Sequence, residues 1–519
     1  MKTDAGRNES VWMATAGIPS RPQLTEDESA NVCIVGAGIA GLTTAYMLAC
    51  EGKSVVVLDD GPIAGGETGR TTAHLSNALD DRYVQLERLH GKRGAQLAAE
   101  SHTNAIDLIE RIAAEERIDC DFRRVDGYLF PAAGGDLEYL HLEVEAAQRA
   151  GLTDVHMAER APLKAFNTGA CVHFPRQGQF HIVKYMAGLA AAIERRGGRL
   201  YDRTHVTSIR KGHRPEVTAS TGKSVKCNFV VVATNSPINN WVSIHTKQEP
   251  YRTYVIGAAI PKGVVPPVLL WDTLDPYHYV RTAAFSDRHD LLIVGGEDHR
   301  TGQAQDTDSR FDALEGWARD HFPSIEYVEF HWSGQVMEPV DGLAFIGRSP
   351  GDENIFLATG DSGHGITHGT IAGILIRDLI NGTKNEWIKL YDPSRKTLRA
   401  AGEFARFNLN VARRYMGFVT AGRNLDESEI APGTGAVVRR GFEKLAVYRD
   451  DSGGLHEMSA VCPHLGCIVD WNETEKTWDC PCHGSRFSGD GNVINGPANR
   501  GLSPSEDEDE PIMTLPATE

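Results

Sequence analysis

Residues 31–60 read NVCIVGAGIAGLTTAYMLACEGKSVVVLDD, and the rest of the chain is organised around this stretch. Val32-Cys33-Ile34-Val35 is a short apolar run, long enough for a buried parallel strand. Gly36, Gly38 and Gly41 follow at G-x-G-x-x-G spacing. Residues 42–50 have helical composition and Gly52 stops the helix. Val55-Val56-Val57-Leu58 is a second buried strand, with Asp59 and Asp60 at its end. In such a unit the first glycine permits the turn, the second lets backbone approach a pyrophosphate, and the third lets helix and strand pack. The helix N-terminus offers free N–H groups to phosphates. Asp59 stands where a carboxylate accepts hydrogen bonds from a ribose hydroxyl. An isolated G-x-G-x-x-G is often only a turn. Here both strands, the helix and the acid accompany it, which predicts a dinucleotide site built from Gly36, Gly38, Ile39, Ala40, Gly41, Asp59 and Asp60.

The glycine- and threonine-rich stretch 65–73, GGETGRTTA, decides which dinucleotide. It resembles the flavin-cradling loop of the D-amino-acid oxidase/glycine oxidase/sarcosine oxidase superfamily. Residues 354–369, NIFLATGDSGHGITHG, resemble the strand, glycine loop and helix that close the flavin site there, and 342–347, GLAFIG, also fit. The resemblance covers about 30–390, patchily, and is strong at its two ends. It implies FAD held by Gly66, Thr68, Arg70, Thr71 and Thr72, by the backbone of Val206 beside the adenine, and by Ala233 and Thr234 after the strand NFVVVAT. Gly360, Gly363, His364, Gly365, Ile366 and Thr367 complete the implied set. It also implies non-covalent FAD: some branches attach flavin through a histidine in the first loop, but Arg70 stands there and His74 lies four residues on.

Among 519 residues, 41% are hydrophobic and 24% charged, the composition of a soluble globular protein of two to four domains. The net charge of −17 argues against nucleic acid or an anionic membrane as partner. No apolar run approaches the about 20 residues of a membrane span. The first thirty residues carry Asp4, Glu9, Glu26, Asp27 and Glu28 and no signal pattern, so a cytoplasmic location is expected. Of nine cysteines, Cys33, Cys50, Cys120, Cys171 and Cys227 are scattered and read as buried small apolar residues. Cys462, Cys467, Cys480 and Cys482 cluster near the end.

Taken in order, 1–30 reads as an extended N-terminal arm, with Trp12 and Pro22 able to tuck against the body. Residues 31–84, 176–248 and 331–396 form the FAD-binding domain, and 85–175 with 249–330 an inserted substrate domain. Helices are expected at 83–116, 137–150, 181–195 and 309–319, and strands at 121–130, 200–209, 251–260, 277–282 and 291–296. Residues 397–427 are a linker helix. From Gly433 onward short strands alternate with glycine-rich turns, the pattern of an all-β module, giving a domain at 428–519. The acidic run 506–510 reads as a solvated tail or a docking handle. The expected fold is an α/β FAD-binding domain, Rossmann-like and of glutathione-reductase type, with an α+β substrate domain and a small all-β Rieske domain.

That last assignment rests on Cys462-Pro463-His464-Leu465-Gly466-Cys467 and Cys480-Pro481-Cys482-His483-Gly484-Ser485. Two thiolates for one iron and two imidazoles for the other, here Cys462, His464, Cys480 and His483, define a Rieske [2Fe–2S] centre. The alternative is a four-ligand zinc site, which does not explain the framing by Pro463, Gly466, Gly484 and Ser485. In Rieske proteins of the cytochrome bc type, the cysteines matching Cys467 and Cys482 form a disulfide over the cluster. Asn495-Gly496-Pro497 resembles the proline loop that covers it from a third side. Imidazole ligation places the potential at about −150 to +300 mV. Ser485 can donate a hydrogen bond to the cluster, but Phe487 stands where high-potential members carry a tyrosine, so a middling potential is expected.

The superfamily resemblance implies oxidation of a C–N bond in a small amine or amino acid, hydride passing to flavin N5. Electrons would then pass singly to the cluster and on to an external acceptor (a ferredoxin, a cytochrome or a quinone-linked protein) or to dioxygen. Tyr279 and Arg281 in YHYVRT fall where the superfamily places groups facing the flavin, and Arg281 is a candidate for a substrate carboxylate. His299, Arg300 and His364 are further pocket candidates. Two rivals stand beside this reading. A Rieske oxygenase needs a mononuclear iron on two histidines and a carboxylate, and no second such cluster is present. An electron-transfer or redox-sensing protein without an organic substrate leaves the long substrate segments unexplained.

Overall fold

In the computed structural model, which describes residues 8–132, 134–135, 137–238, 242–304, 306–415 and 427–504, the glycine motif lies at the centre of the first of two large sheets. Strand Glu28–Val35 pairs in parallel with Ser224–Val232 on one side and Val55–Leu58 on the other. Ile355–Thr359 and Arg199–Tyr201 extend the parallel part, and Phe345–Arg348 closes one edge antiparallel. Val32 to Val35 and all of Val55–Leu58 are buried, which is why they are unbroken apolar runs. Helices Ile39–Cys50 and Gly365–Asn381 approach closely because two glycines allow it. A Cβ on Gly369 or Gly373 would stand 2.6 Å from a carbon of Ile39 or Thr43.

The second sheet has nine strands. Along its main path these are Tyr327–Pro339, Gln248–Pro261, His289–Arg300, Tyr279–Ala284, Leu269–Trp271, Arg123–Leu129, Cys171–Gln179 and His74–Leu75. Alternation along its strands sorts the two faces. Tyr254, Ile256, Ala258 and Ile260 pack with Leu292, Val294 and Phe311 and Leu314 of helix Thr307–His321. Thr253, Val255 and Tyr279 face the other way, toward the glycine motif.

The C-terminal part is two small antiparallel sheets, one of Thr434–Arg440, Glu443–Arg449 and Leu455–Ser459, the other of Asp470–Asn472, Thr477–Asp479, Arg486–Ser488 and Val493–Asn495. Helix Ala401–Tyr415 precedes them, and its Phe407 and Val411, one turn apart, pack into a cluster with Trp478 and Phe487. Among the described residues no helix is long and apolar enough to cross a membrane.

Several expectations need correction. The arm is not wholly extended: Val11–Thr15 is a helix capped by Ser10, and Trp12, 2% exposed, donates from Nε1 to the Thr71 carbonyl at 2.6 Å. The strand expected at 200–209 is two strands, Arg199–Tyr201 and Val206–Arg210, in different pairings. The chain turns between them at Arg203 (φ 49°), where Thr204 N–H donates to the Asp59 carbonyl at 2.7 Å. The boundaries expected at 175/176 and 330/331 fall inside strands Cys171–Gln179 and Tyr327–Pro339, whose ladders keep both in the second sheet. The boundary at 84/85 falls inside helix Tyr83–Glu115. The acidic run 506–510 and part of the 397–427 linker lie outside the described residues.

Candidate active site and metal centre

A cavity of about 500 Å³ is lined by loops of the first sheet, by one face of the second, and by Val493, Ile494, Asn495, Gly496 and Ala498 of the C-terminal module. Its glycines fit a dinucleotide cradle. At Gly36 (φ 104°) a Cβ would stand 2.3 Å from the Ala233 carbonyl oxygen, and at Gly41 1.9 Å from that of Gly36. These are the turn and the helix–strand contact; only glycine fits either place. Ile39 N–H donates to Thr68 Oγ1 at 3.1 Å, joining the two phosphate-side loops. Asp59 accepts from the N–H groups of Ala37 and Gly61. Gly38, Ile39, Ala40, Asp60, Gly66, Arg70, Thr71, Thr72, Val206, Ala233, Thr234, Gly360, Gly363, His364, Gly365 and Ile366 also line the cavity. Gly41 and Thr367 do not: Gly41 is a packing position, and Thr367 Oγ1 bonds to His102 Nδ1 at 2.9 Å.

Aromatic rings and carboxylates line the part of the cavity beneath the second sheet. Trp271, Tyr277, Tyr279, Asp298 and Glu338 come from that sheet and its loops, and Asp80, Asp81, Asp361 and His364 from elsewhere on the wall. Tyr277 donates to Asp80 Oδ2 at 2.9 Å, and the Asp80 N–H donates to His364 Nε2 at 2.9 Å. Ser362 Oγ lies 2.9 Å from Asp81 Oδ2 and 3.0 Å from Glu338 Oε2. The Thr253 and Tyr279 hydroxyls are 2.6 Å apart. Burial pushes Asp298 up to about 7 and Asp361 up to about 6. Burial is the largest influence on Asp80 and would raise it, but His364, Arg82 and the Tyr277 hydroxyl together outweigh it and hold this carboxyl below the ordinary range.

Arg70 is the one guanidinium or ammonium group among the described lining residues, and it is engaged. It donates to the carbonyls of Ser333 (3.0 Å) and Asn8 (2.8 Å) and lies 3.6 Å from Glu475. Arg281 is not on the cavity wall. Its Nη1 donates to the carbonyls of Thr72, Ala73 and Phe180, and its guanidinium lies over the Trp12 ring, so it ties the flavin loop to the second sheet. His299 is not there either. It follows Asp298 on the strand, so the pleat turns it to the opposite face, where Nε2 meets the Tyr254 hydroxyl at 2.9 Å. Arg300 pairs with Glu249. Of the three catalytic candidates only Tyr279 faces the cavity. Asp80, Asp81, Asp298 and Glu338 were missed. They carry no motif: Asp80 and Asp81 follow one another in the turn before helix Tyr83–Glu115, and Asp298 and Glu338 sit near the ends of strands.

In the C-terminal module the loops 462–467 and 480–485 bring four donors together. Cys462 and Cys480 are each 1% exposed, outside any disulfide, and their sulfurs are within hydrogen-bonding reach of each other. The His464 and His483 ring centroids are 5.1 Å apart, and His464 Nδ1 is buried with no hydrogen-bond partner. Burial lowers His464 to about 4 and His483 to about 3, leaving both neutral, as ligation requires. Two thiols, two neutral imidazoles and an orphaned ring nitrogen fit a mixed Cys/His [2Fe–2S] cluster. Cys467 and Cys482 form a disulfide, Cα atoms 6.4 Å apart, that ties the loops. The Ser485 hydroxyl reaches the Cys462 sulfur and accepts from Ala498 N–H at 3.0 Å.

Module and flavin loops are joined by buried ions. Arg70, Arg252, Arg486, Glu475 and Asp479 are each at most 1% exposed. Glu475 lies 3.6 Å from Arg70 and 3.7 Å from Arg252, and Arg486 Nε donates to Asp479 at 3.1 Å. Asn495 donates to Glu67 at 3.2 Å, and Gln335 to the Gly484 carbonyl at 2.9 Å.

Comparison with known proteins agrees with both halves. Residues 31–379 match the family of FAD dependent oxidoreductases (DAO), and residues 423–506 match the Rieske [2Fe-2S] domain. YhfW of Bacillus subtilis, named for a Rieske 2Fe-2S iron-sulfur centre, is 32% identical over 95% of this chain and 97% of its own. The gamma-glutamylputrescine oxidoreductase of Escherichia coli is 28% identical over 69% of this chain and 85% of its own. The crystal structure of glycine oxidase from Geobacillus kaustophilus superposes with a TM-score of 0.60 at 18% identity, over 71% of this chain and 99% of that one, which shows the shared fold. With its glycine cradle, its two sheets and its Cys/His loops, the chain belongs to the DAO family of FAD-dependent oxidoreductases and carries a Rieske [2Fe-2S] domain at its C-terminal end.

Proposed function

We propose that the enzyme oxidises the C–N bond of a small amine that binds as a cation, and that the electrons leave through the Rieske centre to an external one-electron acceptor. The observation that carries this is the wall of the cavity: the Asp80 carboxylate, with the carboxyls of Asp81, Asp298 and Glu338 that burial pushes up, beside the rings of Trp271, Tyr277 and Tyr279, and the Arg70 guanidinium held by Glu475, Ser333 and Asn8. Such a wall attracts an ammonium by charge and by ring faces. Among the described residues it offers a substrate carboxylate no free arginine like the one expected at Arg281. The relative that acts on gamma-glutamylputrescine supports an amine.

Bound FAD would supply the acceptor for hydride, and the cluster a one-electron carrier. The chain's own residues would do the rest. Asp80, kept anionic by His364, Arg82 and the Tyr277 hydroxyl together, attracts the ammonium. Asp298, near neutrality in its titration, takes up the ammonium proton so that the amine is oxidised in its neutral form. Tyr279, fixed by Thr253, sets the ring wall. FAD is held without a covalent bond, Arg70 being committed to the module contact.

Anaerobic bleaching of the flavin absorbance separates the readings. Small mono- and diamines are expected to bleach it, and α-amino acids at the same concentrations are not. Bleaching by α-amino acids alone would overturn the cationic-amine assignment. Bleaching by neither class would favour a redox protein without an organic substrate.

A further inference from the structure

The wall between the flavin cavity and the metal centre contains a short helix, Val242–His245. The chain reaches it from Asn235, which lines the cavity and whose carbonyl accepts from the Thr359 hydroxyl at 2.5 Å. Ile238 lines the cavity too and lies against Gly496 of the module's covering loop. At the end of the helix stands His245, a residue of the flavin half, 1% exposed. Its ring centroid is 4.8 Å from that of His464 and 5.9 Å from that of His483, crossing them at 78° and 64°. With 5.1 Å between the two ligand rings, three imidazoles from two domains form one closed group.

Packing alone does not account for an imidazole here. The Pro237 carbonyl faces the ring, yet among the described residues neither ring nitrogen has a hydrogen-bond partner of good geometry. A buried polar group in that condition is costly, and leucine or phenylalanine would fill the same space without the cost. The His245 ring stands against ligands of a metal centre, where surrounding dipoles and water access set the properties of the metal.

We propose that His245 is a positioning residue for the Rieske centre: it closes the histidine edge of the cluster against water and tunes its potential from the flavin domain. The histidine edge is then turned to the chain's own flavin domain, and an external acceptor must use another face of the module. The proposal rests on the cluster and not on the choice of substrate, so failure of the amine screen leaves it standing.

The test uses holoprotein with His245→Ala and His245→Phe. One readout is the cluster midpoint potential and g-values from an EPR-monitored titration, with the flavin potential as internal control. The other is diethyl pyrocarbonate labelling of His464 and His483, read by peptide mass. His245→Ala is expected to admit water, raise the cluster potential because the reduced, more negative cluster is better solvated, and increase ligand labelling at least tenfold. His245→Phe is expected to keep the edge closed to the reagent and still shift potential and g-values, since the ring dipole is gone. Potential and g-values equal to the parent's in both variants would overturn the proposal. If His245→Ala fails to assemble a cluster, the potential of His245→Phe alone decides, in the same sense.

Discussion

The Asp298 carboxyl shares its surroundings with Thr253, Asp80, Glu297 and His278, and burial pushes it up to about 7. Its anionic form is the one that holds or deprotonates an ammonium. The kcat/KM for an amine should therefore rise with pH through about 7, and Asp298→Asn should remove that limb and raise KM about tenfold, about 1.4 kcal/mol of binding. A profile unchanged by the substitution would exclude this carboxyl. The sign for stability is opposite. The folded value lies above the unfolded one of about 3.9, so the stabilising form is the neutral one, and that contribution fades as pH rises toward 7. At this scale most of the expected cofactor residues come together on one cavity wall and in one pair of loops, because G-x-G-x-x-G and the Cys/His loops are local patterns. The sequence misplaced Arg281 and His299, because a strand's pleat and a side chain's carbonyl partners depend on neighbours far along the chain.

Among elements, the hairpin around Glu475, between strands Asp470–Asn472 and Thr477–Asp479, holds the module to the flavin loops. Burial alone would raise the Glu475 carboxyl; Arg70, Arg252 and Arg486 outweigh it and keep it below the ordinary range. Glu475→Gln removes the carboxylate beside Arg70 and Arg252, at a cost of about 3–5 kcal/mol. Calorimetry should then resolve two transitions where the parent shows coupled unfolding. Because the folded carboxyl titrates below its unfolded value of about 4.3, acid should loosen the same contact as pH falls below that value, its full strength being present above it. A single unshifted transition in Glu475→Gln would show that the module is held by other contacts. Element types were legible from periodicity: helices Ile182–Arg195 and Leu137–Arg149 differ from the expected ones by a residue. The split between Arg199–Tyr201 and Val206–Arg210 was not, since a continuous β-like composition hides a turn set by Asp59.

At the scale of the whole molecule the question is where electrons go. Doubling Cys462→Ser with Cys480→Ser removes both thiolate ligands. This variant should retain FAD and still bleach with amine, yet lose turnover with a one-electron acceptor. Turnover equal to the parent's would mean that electrons leave the flavin directly. Domain identity was readable from two local motifs, but their contact was not, because Glu475, Asn495 and Gln335 match no pattern and meet only in the folded chain. That contact also bears on how the protein matures. Val493 to Asn495, Gly496 and Ala498 complete the wall of the flavin cavity, and the Ala498 N–H is held by the Ser485 hydroxyl of a metal loop. Iron supply should thus touch the flavin without expelling it: made in a cell short of iron, the chain is expected to keep FAD in its glycine cradle, as the double variant does, but with one wall loosened, read as faster collisional quenching of the flavin fluorescence.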